Sequence, residues 1–143
     1  MTSAPPVADT PMWLSHHWPS DYDRCAVVRG RHVCRRCLVL YPLALVAAVL
    51  ASAGVTWPDR LDGWLCWLLP LPAVLELCAE QLGLVRHSPT RLVVTTVLLA
   101  AACGALYAQY LDDPGDPLVW SVVVTYAGVC IAVSLWRAFH PRT

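Results

Sequence analysis

Four long stretches of apolar residues dominate the chain, and short polar segments separate them. A membrane-spanning helix needs about 20 apolar residues, because it rises about 1.5 Å per residue and the hydrocarbon core of a bilayer is about 30 Å thick. The first stretch has 22 residues without a charge, between Arg36 and Asp59, and the last two have 20 each. The pattern therefore predicts an all-α fold, an integral membrane four-helix bundle. Its spans are expected at about 38–57, 61–84, 92–111 and 117–137.

The second apolar stretch is the least regular of the four. Pro70 and Pro72 lie in its middle, and Glu76 and Glu80 lie toward its second end. Proline lacks the backbone N–H group that a helix interior needs, so the two prolines predict a kink or break one turn before Glu76. Glu76 and Glu80 are four residues apart and therefore share one helix face.

These two glutamates are the main charged groups inside the predicted spans. A carboxylate within a bilayer is costly and marks a proton, ion or substrate path unless it is paired. We expect Glu80, near the cytosolic edge, to pair with Arg91 or Arg86. Glu76 lies deeper and has no evident cationic partner at its depth. It is therefore expected to be neutral or to face a wet cavity.

The arginines predict the orientation of the spans. Lysine is absent, and nearly all arginines flank the same ends of the apolar stretches. They are Arg24, Arg29, Arg31, Arg35, Arg36, Arg86, Arg91, Arg137 and Arg142. Because basic residues stay on the cytoplasmic side, we expect both termini in the cytoplasm, with the chain in a bacterial-type inner or plasma membrane. The lipid bilayer is then its main partner.

The same orientation brings polar residues from all four spans to one mouth of the bundle. Cysteines begin the first span, acidic and amide side chains end the second, and basic residues begin the third and end the fourth. We therefore predict a polar site at the cytosolic mouth. Its members are Glu76, Glu80, Gln81, Arg36 and Arg91.

The segments outside the spans differ in character. Residues 1–15 are polar and rich in proline, which predicts a disordered tail. Residues 16–37 form a cytosolic segment rich in cysteine and histidine, and residues 140–143 form a short tail. No secretory-signal pattern precedes the first span, so we expect that span to be retained as an anchor.

Composition excludes several classes of function. Hydrophobic residues make up 57% of the chain and charged residues 14%, whereas a soluble domain has about 25% charged residues. Ten arginines balance ten acidic residues, so the chain has no net positive charge that would attract nucleic acid. Because the chain has no lysine, it cannot be a Schiff-base enzyme.

Cysteine and histidine concentrate just before the first span. Cys34 and Cys37 form a CxxC motif, whose two thiolates can bind one metal ion at about 2.3 Å. A third cysteine and one histidine would complete a tetrahedron. Since cytosolic thiols stay reduced, we predict a metal site with Zn²⁺ as the preferred cofactor and Cu(I) as an alternative. The candidate ligands are Cys34, Cys37, Cys25, His17, His16 and His32.

Two other functions remain open. The chain could be a membrane thiol-disulfide oxidoreductase whose CxxC exchanges electrons with a quinone, since nearby arginines and a helix N-terminus stabilise thiolates. The arginine pattern, however, places the CxxC away from the oxidising compartment in which such enzymes work. Alternatively, the chain is a small transporter or accessory subunit with Glu76 as the carrier. It would then form a homo-oligomer or join a membrane protein partner.

Small residues at four-residue spacing predict where the helices approach closely, because van der Waals packing drives helix association in lipid. The spacing occurs in three places, namely Ala47 with Ala51, Ala100 with Gly104 and Ala108, and Gly128 with Ala132.

The cysteine motif and its surroundings resemble a known family, domain of unknown function 2085, a group of small predicted membrane proteins. The opening motif of that family is similar to the run His17, Pro19, Arg24, Cys34, Arg36, Cys37 and Tyr41. Its second block, between spans two and three, is similar to Glu80, Gln81, Gly83, Arg86 and Arg91. In this chain, His16 occupies the position at which the family has its first cysteine. The resemblance implies a membrane protein with a Cys/His site and implies no reaction.

Overall fold

The computed structural model describes residues 10–11, 22 and 25–140. The predicted tails at 1–15 and 140–143 lie almost wholly outside these residues, as do the candidate ligands His16 and His17. The described chain forms two short strands and five helices. They are β1 (Cys25–Val28), β2 (Arg31–Cys34), α1 (Arg35–Ser52), α2 (Asp62–Leu68), α3 (Leu71–Leu82), α4 (Pro89–Asp112) and α5 (Pro117–Phe139), with a 3₁₀ turn (Asp59–Leu61) before α2.

Four helical segments are long and apolar enough to cross a membrane, which confirms the predicted number. They are Arg35–Ser52, Asp62–Leu82, Pro89–Asp112 and Pro117–Phe139, and α2 and α3 together make the second. The first segment ends about five residues before the predicted boundary at position 57. Gly54 adopts a left-handed conformation with φ 76°, and its N–H donates to the Ala51 carbonyl, which closes the helix end.

The predicted break in the second span is present at residues 69–70, between α2 and α3. Leu69 and Pro70 keep right-handed helical backbone angles, so the chain continues in the same general course. The Tyr126 hydroxyl of α5 donates a hydrogen bond to the Trp67 carbonyl beside the break. A neighbouring side chain thus satisfies a backbone group at the point where proline interrupts the helix.

The predicted helical class is confirmed, and a short β-hairpin precedes the first helix, which the sequence did not predict. Its strands pair antiparallel with Cys25 opposite Cys34 and Val28 opposite Arg31. Arg29 and Gly30, with φ 51° and 76°, form the two-residue turn. Two successive left-handed residues match the twist of the strands and make a tight type I′ turn. The hairpin leads directly into α1, so β2 positions the start of that helix.

The central helix is α4, half of which is buried, whereas α1 and α5 are buried at only a few positions. Helix α1 packs against α4, and α3 packs against both α4 and α5. Gly104 of α4 lies directly against α1, because a Cβ atom there would be 2.7 Å from both the Ala44 carbonyl and the Ala48 nitrogen. This confirms the prediction of close packing for the stripe that contains Gly104. A Cβ atom at Gly128 of α5, by contrast, would meet no other atom of the described residues within 4 Å.

We expect Gly104→Val to weaken the bundle, because the valine side chain would overlap the backbone of α1. Overpacking of this kind costs about 1–3 kcal/mol and should lower the unfolding temperature by about 5–10 °C. Gly128→Val is the matched control, since it places the same β-branched residue in a helix without a neighbour. Thermal unfolding in detergent measures both. Equal unfolding temperatures would show that α1 does not pack on α4 in this way.

Candidate functional site

Glu76 of α3 is the centre of a buried polar network. Its side chain is 2% exposed and carries two arginine contacts. Arg91 Nε of α4 donates to Oε1 at 2.9 Å, and Arg36 Nη2 of α1 donates to Oε2 at 3.4 Å. The Thr95 hydroxyl also donates to Oε2. The expectation that Glu76 lacks a cationic partner is therefore wrong, because two long arginine side chains reach it from neighbouring helices.

Glu80 lies one turn from Glu76 and belongs to the same network. His87 Nδ1 lies 3.1 Å from Glu80 Oε1, and Arg91 Nη2 lies 3.7 Å from the same oxygen. The predicted contact between Arg91 and Glu80 is present, but the shorter arginine bond goes to Glu76. Arg86, the other predicted partner, supplies its backbone carbonyl to Arg91 Nη2 at 2.7 Å.

His87 is a member of the network that sequence reasoning missed. It reaches Glu80 because Gly83, left-handed with φ 74°, ends α3 and turns the chain back. The N–H of Leu84 donates to the Ala79 carbonyl at 2.8 Å and fixes this turn. The glycine at position 83 is the sequence signal that could have placed the following histidine beside the end of α3.

Helix α5 joins the same end of the bundle through Gln81. Arg137 Nη1 donates to Gln81 Oε1 at 2.6 Å, which links α3 to α5. The predicted meeting of polar residues from all four spans is thus observed for Arg36, Glu76, Glu80, Gln81, Arg91 and Arg137. His140 stacks on Trp136, with ring centroids 4.2 Å apart. We call the end of the bundle that carries Arg36, Arg91 and Arg137 the basic end.

The three candidate cysteines lie together where the hairpin meets α1. Cys25 and Cys34 are directly opposite in the two strands and are 4% and 8% exposed. Pairs alternate along an antiparallel ladder, and this pair falls at a non-hydrogen-bonded position, where Cα atoms are about 4.5 Å apart and side chains are closest. A side-chain hydrogen bond connects Cys34 to Cys37 in the first turn of α1.

Arginines fasten this cysteine cluster (Cys25, Cys34 and Cys37) to the helices. Arg35 Nε donates to the Cys25 carbonyl at 3.2 Å, so the first residue of α1 holds β1 in place. Arg36, which lies between Cys34 and Cys37 in the chain, extends to Glu76. The cysteine cluster and the buried carboxylate therefore share one connecting residue.

His32 occupies the hairpin face that Cys34 also occupies, two residues away along β2. The ring of Tyr22 stacks on it with centroids 4.0 Å apart, and its backbone N–H donates to Thr10 Oγ1 at 3.0 Å. Its buried Nδ1 atom has no hydrogen-bond partner among the residues that the structure describes.

No group of three histidine, cysteine, aspartate or glutamate side chains within the described part of the chain is arranged to hold a metal ion. The structure therefore brings three candidate thiols to one junction without forming a complete metal site from 10–11, 22 and 25–140. The remaining predicted ligands, His16 and His17, lie outside those residues.

Comparison with family models, with curated proteins and with solved structures finds no match to this chain. The resemblance to domain of unknown function 2085 stays a prediction that rests on the residues quoted for it.

Proposed function

We propose that this chain is an integral membrane protein whose cysteine cluster binds one zinc ion at the cytoplasmic face. The observation that carries the proposal is the placement of Cys25 opposite Cys34, with Cys34 hydrogen-bonded to Cys37. Three thiols at one junction are one more than a redox CxxC requires. They match the ligand type of closed structural zinc sites, which are tetrahedral and rich in thiolate.

The fourth ligand in this proposal is a histidine. His16 and His17 precede the hairpin in the chain. His32 lies on the same hairpin face as Cys34, and its Nδ1 atom has no hydrogen-bond partner within the described part of the chain. The cysteines bind zinc as thiolates in this proposal, because the metal displaces their protons on binding.

The proposed role of the zinc ion is to dock the N-terminal segment onto the bundle. A structural zinc ion contributes its binding free energy to folding, so the hairpin would depend on the metal. Arg36 joins the cysteine cluster to Glu76, and Glu76 contacts α4 through Arg91. Metal binding would therefore also hold α1 in register with α3 and α4.

The basic end is cytoplasmic in this proposal. The support is the excess of arginine at that end, since positively charged loops remain inside. The membrane is of the bacterial inner or plasma type, and a reducing cytoplasm keeps the thiols available for metal.

We expect the metal to protect Cys37 from alkylation. The purified protein, with zinc bound, is treated with a maleimide before and after addition of a chelator, and each cysteine is followed by peptide mass spectrometry. Removing the metal should raise the alkylation rate of Cys37 by about tenfold or more, because the thiolate is no longer coordinated. Cys78 of α3 is the internal control, since it is also half-buried and lies outside the cysteine cluster. A Cys37 rate that does not respond to chelator would contradict the zinc assignment.

A dithiol oxidoreductase is the second candidate, and the hydrogen bond between Cys34 and Cys37 favours it. Two thiols would pass two electrons and two protons to a quinone, which becomes a quinol while one disulfide forms. In the alkylation experiment, such a protein would show two cysteines that react only after a reductant is added, with no response to chelator. The transporter hypothesis is the less favoured one, because two arginines and a threonine contact the Glu76 carboxylate that would act as the carrier.

A further inference from the structure

A groove runs between α4 and α5, with α3 forming a further wall and Arg36 of α1 at one end. Two cavities of about 200 Å³ and about 240 Å³ lie in it. Both are lined by Cys103 and Leu106 of α4 and by Val123 of α5, so they lie next to each other along the groove. Together they are as large as pockets that hold small organic ligands.

The groove has a buried floor and an open rim. Leu106, Val119 and Val122 form the floor and are 6%, 5% and 2% exposed. Tyr107 and Trp120 form part of the rim and are 54% and 49% exposed. The opening therefore faces sideways, in the direction that the surrounding lipid occupies if the helices span a membrane. A ligand can enter it from the bilayer without crossing the protein.

The two ends of the groove differ in polarity. Arg36 is the charged residue that lines it, at the basic end, and its guanidinium is 19% exposed. The far end is closed by Tyr110 and Trp120, whose rings meet edge to face with centroids 6.2 Å apart. Between the ends the lining is apolar, and the Tyr126 hydroxyl is already bonded to the Trp67 carbonyl.

The charge around the basic end of the groove favours an anionic ligand. Neither glutamate of the polar network lines the groove. A guanidinium has five N–H donors, and Glu76 accepts from one nitrogen of Arg36. Described basic residues at this end outnumber its two carboxylates, Glu76 and Glu80. They are Arg29, Arg31, Arg35, Arg36, Arg86, Arg91 and Arg137.

We propose that this groove binds one anionic phospholipid from the bilayer, with an acyl chain along the groove and the phosphate on Arg36. Between Val119 and Cys130 the lining extends for about 16 Å along α5, which is roughly half the thickness of the hydrocarbon core. The phosphate group accepts hydrogen bonds from the planar guanidinium, which suits this ligand better than a point charge would. The proposal requires membrane insertion and is independent of the zinc site.

Native mass spectrometry of the detergent-purified full chain tests the proposal, with phosphatidylglycerol and phosphatidylcholine added in equal amounts. We expect one phosphatidylglycerol per chain, preferred over phosphatidylcholine by about tenfold. Cys103→Trp fills the part that both cavities share and should lower bound lipid by about tenfold. Val124→Trp is the matched control, because Val124 is 63% exposed on α5 and does not line the groove. It should bind lipid as the wild type does.

Two further variants make the outcome decisive. Val123→Trp narrows the groove from the opposite wall at a half-exposed position, so it serves if Cys103→Trp fails to fold. Arg36→Gln should keep one bound lipid and lose the preference for phosphatidylglycerol. Equal binding of the two lipids by the wild type, or unchanged binding by both groove-filling variants, would overturn the proposal.

Discussion

The Glu76→Gln variant is expected to unfold at a temperature about 10 °C below that of the wild type in detergent. The Glu76 side chain is 2% exposed and accepts from Arg36 and Arg91. The amide removes the negative charge that both guanidinium groups share. Removing one partner of a fully buried ion pair costs about 3–5 kcal/mol, and the lower end applies here because Arg36 and Arg91 are 19% and 40% exposed and remain in contact with solvent.

Two companion variants separate this effect from a general loss of packing. Glu80→Gln, one turn away on α3, should cost less than half as much, because the contact with Arg91 is longer, at 3.7 Å, and an amide can still hydrogen-bond to His87. The double variant Glu76→Gln/Arg36→Gln should recover part of the lost stability, since it also removes an uncompensated cation. Thermal unfolding followed by tryptophan fluorescence measures all three. If Glu76→Gln unfolds within about 2 °C of the wild type, the network does not stabilise the bundle.

If the cysteine cluster binds zinc as proposed, the double variant Cys34→Ser/Cys37→Ser is expected to bind none. The two cysteines lie at the end of β2 and in the first turn of α1, and the proposal assigns both as ligands. Serine hydroxyls do not ionise at neutral pH and are poor zinc ligands. The binding free energy of a structural zinc ion is about 10–16 kcal/mol and depends on its ligands. Cys25→Ser should weaken binding less, because it leaves this pair intact.

The number of helical segments long enough to cross a membrane and the location of the polar end could be predicted from the sequence. Both depend on local quantities, namely the length of each apolar stretch and the distribution of arginine along the chain. The break near Pro70 could also be predicted, because proline acts on its own helix. The end of α1 comes earlier than predicted, because Gly54 closes the helix in the left-handed conformation while the apolar stretch continues without a charge to Trp57.

The partner of Glu76 could not be predicted, because it depends on how the helices are arranged. The depth of Glu76 in the bilayer can be estimated along its own helix, but Arg36 and Arg91 reach it from two other helices. Close approach of α1 and α4 at Gly104 brings both arginines to the same carboxylate. No spacing within a single apolar stretch contains that information.

The hairpin was missed for a different reason. Each strand has only four residues, too few for a clear alternation of polar and apolar side chains. The turn is formed by Arg29 and Gly30 and lacks the asparagine or aspartate that is the usual signal of a type I′ turn. The opposition of Cys25 and Cys34, which carries the proposed function, followed only from the strand register.

Elemental analysis of the purified protein tests the zinc assignment most directly. It is applied to the wild type, to Cys34→Ser/Cys37→Ser and to Cys78→Ala/Cys103→Ala, which removes two cysteines from the helices instead. We expect about one zinc per chain in the wild type and in the helix variant, and less than about a tenth of that in the serine variant. Stoichiometric zinc in the serine variant, or no zinc in the wild type, would contradict the assignment.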